Sequence, residues 1–493
     1  MNDDSRQRRT TRRQILIGSL GLGAVALVAA CSGTPATPTT APASAPAAPT
    51  QAASAAAPAT PTTAAQTAAT PQTAATPASA ANAPAAGGAN PTPSNATGTL
   101  TFWGHEDHPM DKAMTGFQKL YPNVKLDWQH LGDWLTKFKA TLASGNGVPD
   151  LVWLEATDVQ NFGSQGVLLD VTEHLKPIKD QFSQGKVTEV FIVKKQQYVA
   201  MPGDIGLVGL WYRQDLLDKA GIKELPQDLD YDGFIQIAGD LHQKANEAAF
   251  LLPSAGWSWP FEIILSQAGG SITSLDGTQV TIADDKGIEA MSIVKKLWDT
   301  KAALDTAWLK PDYWAAVKSG KIASDFMPAW MRGFCESELK SPDDGLGKWK
   351  VAPLPKVKDG VSRTAQIGGA SLASTKFTKV PDIVWAFMQY SLGSIEGTNL
   401  TGGWGIIPSY LPYLTSDNFT GTKSTVFGDF QFGKVWAELA KELSTKYART
   451  AVFSEADADI TQDIVPMLQG KVTVVEGMHS LADKISQANQ RYQ

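Results

Sequence analysis

Tryptophan is used unusually often in this chain, which has 15 tryptophans against 10 tyrosines. Some of them fall in patterns typical of strands and helices, where core packing explains them: Trp128, Trp134, Trp298, Trp385 and Trp436. Four others stand where glycine or proline breaks the chain: Trp257, Trp259, Trp330 and Trp404. An indole ring on such a loop offers a flat apolar surface, so these four are candidate walls of a binding site. Packing beside the chain break is the alternative.

Carboxylates close to the predicted strand ends could supply the polar edge of the same site. The candidates are Glu106, Asp107, Glu155, Asp158 and Asp204. Ionised carboxylates accept strong hydrogen bonds from hydroxyl groups. A sugar has an apolar face of C–H groups and a rim of hydroxyls, so it suits aromatic walls with acidic edges. Alternatively, each of these carboxylates could be solvated on a loop or could cap the N-terminus of a helix.

Arg332 follows Trp330 closely and could orient a carboxylate or donate to a ligand, although an arginine in this setting more often forms an ion pair at the surface or hinge. The run from His105 to His108 contains four potential metal ligands. Its spacing matches neither zinc-protease helices nor calcium loops, so we predict no metal and no cofactor. The chain has no Gly-x-Ser-x-Gly elbow, Walker loop or paired-cysteine motif, which disfavours an enzyme.

The first 31 residues have the features of an export and lipid-anchoring signal. Arg12 and Arg13 precede a short apolar run, and small residues lead to Cys31. Paired arginines are typical of a twin-arginine signal, and small residues before a cysteine are typical of a lipoprotein cleavage site. We therefore predict a signal peptide over 1–30, a lipid on Cys31, and a location at the extracytoplasmic face of the cell membrane.

Residues 31–98 are dominated by Ala, Pro, Thr, Ser and Gln, and 32–98 contain no charged side chain. Such a composition cannot bury a core, so we predict a disordered, lipid-anchored linker. A plain spacer is the simplest interpretation, and threonines beside prolines also permit glycosylation. The remaining chain, 99–493, has the size of two lobes around separate cores.

Charge and cysteine content exclude some classes of protein. The net charge is -6, and because the first 30 residues carry five arginines and two aspartates, the remainder is near -9. This balance argues against nucleic acid as a partner. If Cys31 carries lipid, Cys335 has no intramolecular disulfide partner. The apolar neighbours of Cys335 predict a buried, inert thiol.

The start of the folded part alternates between the strand and helix periods. Predicted strands lie at Leu100–Trp103, Val124–Trp128 and Leu151–Leu154, and predicted helices at Met110–Leu120 and Trp134–Leu142. This order predicts an α/β fold with a mostly parallel sheet. Ligands of such sheets bind beyond the carboxyl ends of the strands, which here means Gly104–Asp107 and Glu155–Asp158.

Several motifs, taken in order, resemble a known family. They are Pro149–Leu154, Gly166–Asp170, Tyr198–Pro202, Trp211–Leu217, Gly320–Trp330 and Gly368–Ala370. Together they look like the extracellular solute-binding proteins of carbohydrate ABC importers, family 1, the group that includes maltose-binding protein. The resemblance covers nearly all of 99–493, and the predicted lipoprotein signal agrees with it independently.

The resemblance implies a class II periplasmic-binding-protein-like fold, with two α/β lobes joined by a hinge of several crossings. Lobe 1 would comprise about 99–204 and 356–403, and lobe 2 about 208–354 and 406–493. The chain would cross near 202–209, 355–363 and 402–408. Gly203, Gly206 and Gly209 could absorb the rotation of a hinge, and tight turns are the alternative.

The resemblance also implies a function. A monomer would capture a sugar or oligosaccharide between its lobes and deliver it to the transmembrane subunits of an ABC permease without covalent chemistry. Trp257 or Trp259, with Trp330 and Trp404, would wall the ligand. Two alternatives stay open. Glu106 and Glu155 could be the carboxylate pair of a glycoside hydrolase, or the aromatic walls could hold a cationic amine.

Overall fold

A computed structural model describes residues 90–104, 110–245, 249–251, 257–304, 306, 308–402 and 406–493. The strands of this part are β1 Gly98–Gly104, β2 Val124–His130, β3 Leu151–Glu155, β4 Phe191–Ile192, β5 Gln197–Tyr198, β6 Ala200–Pro202, β7 Asp204–Ile205, β8 Val208–Arg213, β9 Ala249–Leu251, β10 Ile322–Pro328, β11 Trp349–Ala352, β12 Ala370–Ser374 and β13 Ile407–Pro408.

The helices of the same residues are α1 Met110–Leu120, α2 Trp134–Ser144, α3 Ala156–Ser164, α4 Thr172–Leu175, α5 Gln184–Glu189, α6 Gln214–Lys219, α7 Tyr231–Lys244, α8 Trp259–Ala268, α9 Asp285–Asp299, α10 Pro311–Lys318, α11 Met331–Glu338, α12 Pro381–Gly393, α13 Ile395–Thr401, α14 Leu411–Leu414, α15 Asp417–Thr420, α16 Phe432–Leu439, α17 Phe453–Leu468 and α18 Val474–Asn489. Within the described ranges, no helix is long and apolar enough to cross a membrane.

The first sheet has the strand order β2-β1-β3-β12-β6. Strands β1, β2 and β3 are parallel and are linked through α1 and α2, which confirms the predicted alternation. Strand β3 is buried from Leu151 to Leu154, as expected for a strand covered on both faces. Strands β12 and β6 complete the sheet; β12 runs antiparallel to β3 because the chain returns to this sheet from the second one.

The second sheet has the order β11-β8-β10-β9. Strand β8 is buried along its whole length and pairs antiparallel with both β10 and β11. Buried apolar side chains form two clusters. One contains Phe102 and Phe117 beside the first sheet and extends to Trp211 of the second, and the other contains Leu210 and Phe234 beside the second sheet.

The chain passes between the sheets at 203–207 and again at 353–369. These segments contact each other through an antiparallel β-bridge between Leu207 and Gln366. Strand β7, which lies within the first crossing, also pairs with β13. Gly206 allows this close approach, since a Cβ there would overlap the carbonyl oxygen of Ile367. Its φ is not positive, so Gly206 is required by the contact between the crossings rather than by a tight turn.

Contacts with the folded part begin ahead of Thr99, within the segment predicted as linker. The Ser94 N–H donates to the carbonyl oxygen of Leu120 at 2.9 Å, and the Asn90 amide donates to Glu396 at 2.6 Å.

We expect Gly206→Ala to lower the free energy of unfolding by about 1–3 kcal/mol, because the new methyl group must displace backbone at the crossing. Urea denaturation measures this difference. Gly239→Ala is the matched control: Gly239 lies in α7, and a Cβ there meets no heavy atom within 4 Å. That variant should be neutral or up to about 1 kcal/mol more stable. Equal stabilities for the two variants would contradict the close approach at Gly206.

Candidate functional site

The structure brings three of the predicted tryptophans together. The ring centroids of Trp257 and Trp259 are 4.4 Å apart, and Trp330 lies 6.3 Å from Trp259. A fourth ring, Trp308, lies at 4.9 Å from Trp257, 5.1 Å from Trp259 and 5.5 Å from Trp330. We call Trp257, Trp259, Trp308 and Trp330 the tryptophan cluster. All four side chains are half-buried, so they retain exposed surface that a ligand could cover.

The four rings come from three separate places in the chain. Trp257 and Trp259 lie at the start of α8, Trp308 precedes α10, and Trp330 lies between β10 and α11. The Trp330 ring is fixed most firmly: its Nε1–H donates to the Ile367 carbonyl oxygen at 2.9 Å, and the ring packs against both buried apolar clusters. Trp330 therefore joins the second sheet to the chain crossing beside it.

Trp308 was not among the predicted site residues, although its position in the sequence carries a signal. Trp308 stands three residues before Pro311, which opens α10, and Leu309 between them has a positive φ of 60°. An aromatic residue at a chain break next to proline is the same feature that singled out Trp330.

A buried carboxyl group lies at the edge of the cluster. Asp325 of β10, together with Trp257, Trp259 and Trp308, lines a space of about 10 Å³, close to the size of one water molecule. Its side chain is near the Tyr313 hydroxyl, with Oη 3.4 Å from Oδ2. Burial raises the pKa of Asp325 to about 8, and hydrogen bonds from the Phe326 N–H, Tyr313 and Trp308 oppose that rise.

A second polar group anchors the loop of Trp257 and Trp259. Ser258 donates to Glu262 at 2.9 Å and is also hydrogen-bonded to Asp457. Glu262 is buried and accepts from Tyr447 at 2.7 Å and from Arg449 at 3.1 Å. These residues could not be predicted from the sequence, because Glu262 and Arg449 are 187 positions apart.

Arg449 carries a positive charge towards the first sheet. Burial by itself lowers the pKa of the Arg449 guanidinium, but the negative groups around it, led by Glu262 and including Tyr447, Glu155 and Glu189, together outweigh burial and raise that pKa. Glu155 itself ends β3, is exposed, and occupies the position before α3. Arg449 and Glu155 therefore carry opposite charges. Arg449 lies in the chain after the strands of the second sheet, and Glu155 ends strand β3 of the first sheet.

Two other predicted residues have partners within the protein. Asp204 is buried, and its carboxyl accepts the Ala370 N–H at 3.0 Å. Burial raises the pKa of Asp204, and the positive charge of Lys186 opposes the rise. Arg332 lies 3.5 Å from Glu336 and stacks over Phe432, which is the ion-pair alternative stated for it. Burial lowers the pKa of Arg332.

Of the other candidates, Asp158 is half-buried in the first turn of α3, where burial raises its pKa. Glu106, Asp107, Trp404 and Cys31 lie outside the described residues, as does the His105–His108 run. The described ranges contain no group of three or more His, Cys, Asp or Glu side chains able to hold a metal ion. Cys335 is buried, which confirms the expected buried thiol, and it forms no disulfide within the part of the chain that the structure describes. Burial raises its pKa. A thiol with a raised pKa is a poor nucleophile.

Comparison with known proteins gives one family and several relatives. Residues 104–395 match the family described as bacterial extracellular solute-binding protein. An arabinooligosaccharide-binding protein of Halalkalibacterium halodurans is 26% identical over 259 residues, which are 51% of this chain and 56% of the relative. An arabinooligosaccharide-binding protein of Bacillus subtilis is 24% identical over 310 residues, or 60% of this chain and 70% of the relative.

The chain thus spans little more than half the length of the first of these relatives. Among solved structures, the sugar-binding protein MalE of Xanthomonas citri superposes with a TM-score of 0.69 at 15% identity, covering 80% of this chain and 98% of that structure. A similarity of this kind concerns the fold, and it confirms the predicted periplasmic-binding-protein-like α/β architecture.

Proposed function

This chain belongs to the bacterial extracellular solute-binding proteins, and from that membership we propose that it captures a sugar or oligosaccharide and delivers it to an ABC permease. The two arabinooligosaccharide-binding relatives support a saccharide ligand. The relatives are binding proteins, so we propose that the ligand leaves chemically unchanged. No cofactor takes part in this proposal.

The observation that carries the proposal is the tryptophan cluster beside a chain crossing. Four half-buried indoles within 6.3 Å of a neighbour form an aromatic surface, and the exposed Glu155 offers a carboxylate at the end of β3. Aromatic faces pack against the C–H side of a sugar ring, and carboxylate oxygens accept from its hydroxyls. Asp204 and Arg332, already engaged within the protein, would support the walls, while Glu106, Asp107 and Trp404 stay predicted contacts.

Delivery requires two states that the permease can distinguish. We propose that two lobes close on the ligand. Lobe 1 comprises about 99–204 and 356–403, and lobe 2 comprises about 208–354 and 406–493. A ligand that contacts both lobes stabilises the closed state by its differential affinity. The crossings at 203–207 and 353–369 would bend during closure. The family's extracellular location agrees with the predicted signal, and we propose a monomer tethered through lipid on Cys31.

Thermal unfolding with a panel of small molecules tests this function. We expect one saccharide class among arabinotriose, lactose and maltotriose to stabilise the purified protein, by about 2.7 kcal/mol at 100 times its Kd. The same sugar should be recovered intact by chromatography. Choline serves as the amine probe. Stabilisation by choline alone would replace the sugar with a cationic ligand, and degradation of the sugar would replace the binding protein with a hydrolase.

A further inference from the structure

We infer that the tryptophan cluster and Asp325 form a recognition site for a primary ammonium group, so that the ligand of this protein is a saccharide carrying a protonated amino group. The choice of a saccharide rests on the proposed function. The ammonium site itself depends only on the rings and the carboxyl group, and it would accept the same group from a simple amine.

The carboxyl group lies among indole rings and has no cationic partner. Asp325 is only 4% exposed. It lines one space together with three rings of the cluster, Trp257, Trp259 and Trp308. Within the described residues, no lysine, arginine or histidine forms an ion pair with Asp325. A buried carboxylate without a cation is costly, so a cation that enters this space is favoured.

The rings around the carboxyl group suit a cation as well. Indole is the best aromatic partner for a cation, because the face of the ring carries partial negative charge. The Trp308 ring lies 4.9 Å from Trp257 with an angle of 65° between the planes, and 5.1 Å from Trp259 with an angle of 70°. The rings therefore border the space from different directions, and a cation there meets several rings in addition to the carboxylate.

The size of the space selects a primary ammonium. A volume of about 10 Å³ holds roughly one water molecule, and an –NH₃⁺ group is of similar size. Such a group has three N–H donors, one of which can be donated to Asp325. The methyl groups of a quaternary ammonium need more room than the rings leave. Because the rings are half-buried, the rest of a sugar could cover their exposed surface while its amino group reaches the carboxylate.

Asp325 must lose a proton when an ammonium binds. Burial raises the pKa of Asp325 to about 8, so at pH 7 about one molecule in eleven carries the carboxylate. The helices packed against it contribute Tyr313 of α10 and Cys335 of α11; burial raises the pKa of both groups, which stay neutral at pH 7. Across the sheet, Asp325 pairs with Trp211 of β8 and Leu251 of β9, neither of which ionises. Binding at pH 7 should therefore release close to one proton.

Isothermal titration calorimetry at pH 7, in two buffers of different ionisation enthalpy, measures both the affinity and the proton release. We expect the parent protein to bind glucosamine at least about tenfold more tightly than glucose and N-acetylglucosamine, which lack the ammonium. Ethanolamine should bind more tightly than choline. Asp325→Asn should abolish both preferences and the proton release. Ser324→Ala is the matched control and should keep them, because Ser324 is the buried neighbour on β10 whose hydroxyl has no hydrogen-bond partner among the described residues.

The outcomes separate the ammonium site from the proposed function. Neutral sugars that bind as tightly as glucosamine would overturn the ammonium site and leave the proposed function in place, as would a preference for glucosamine that Asp325→Asn retains. Ethanolamine that binds with proton release, when no saccharide binds, would support the ammonium site and reject the saccharide. Absence of binding by every sugar and amine would overturn both. If Asp325→Asn does not fold, the selectivity and proton release of the parent protein decide.

Discussion

Replacing Trp330 by alanine should weaken the binding of the stabilising sugar by at least about 30-fold, equivalent to roughly 2 kcal/mol or more. Trp330 is the ring of the cluster that packs against both apolar clusters and is hydrogen-bonded to the Ile367 carbonyl. Its removal takes away an aromatic wall and also frees the adjacent rings of Trp259 and Trp308. Isothermal titration calorimetry at fixed pH measures the change in Kd.

Two further variants distinguish a loss of ligand contact at Trp330 from a general loss of folding stability. Trp330→Phe keeps an aromatic ring but loses the N–H donor to Ile367, so its affinity should lie between those of the parent and the alanine variant. Trp385→Ala is the matched control, because Trp385 is a half-buried indole stacked on His174 outside the tryptophan cluster. It should lower stability and leave Kd unchanged. Comparable losses of affinity in Trp385→Ala and Trp330→Ala would remove the cluster from the binding site.

Replacing Lys186 by methionine should lower the free energy of unfolding by about 3–5 kcal/mol. The Lys186 side chain is fully buried, and its Nζ lies 2.8 Å from Oε2 of Glu189. Among the described residues, the Gln366 amide, at 2.9 and 3.0 Å, would then be the side-chain donor left to the Glu189 carboxylate. A buried carboxylate left without its cation is one of the most destabilising single changes in a protein. Chemical denaturation at pH 7 measures the loss.

The chain offers a control with the same spacing at the surface. Lys286 and Glu289 are also three residues apart on a helix, at 3.2 Å, but both side chains are about one-third exposed. Lys286→Met should cost less than about 1 kcal/mol. In the buried pair, adding Glu189→Gln to Lys186→Met should recover most of the stability, because the Glu189 charge is then removed together with the charge of its partner. A double variant as unstable as Lys186→Met would show that packing, rather than charge, explains the loss.

Much of the first sheet was predictable because its signals are local. In α1, the buried residues Met110, Ala113, Met114 and Phe117 follow the helical spacing that placed this helix. Strand β3 is a short apolar run closed by turn residues on one side and by Glu155 on the other. Both patterns reflect burial of one face or of a whole segment, so neighbouring positions suffice to recognise them.

The site was predictable only in part. Trp257, Trp259 and Trp330 stood out at chain breaks, and the structure brings these three together. Asp325 could not be recognised, because within the sequence it is one polar residue in an apolar strand. Asp325 becomes part of the site because Tyr313 of α10 and Trp308, which precedes α10, lie against strand β10.

The sequence by itself determined the family, the order of helices and strands from β1 to β3, and three of the four rings of the tryptophan cluster, because periodicity and the positions of glycine and proline act over a few residues. Only the tertiary structure decided which of those groups meet. Glu262 contacts Arg449 from 187 positions away, and Trp330 reaches Ile367 from 37. Such contacts depend on how β8, β10 and β11 pair and on the close approach at Gly206, where the two crossings touch. Long-range pairing of this kind leaves no periodic trace in the chain.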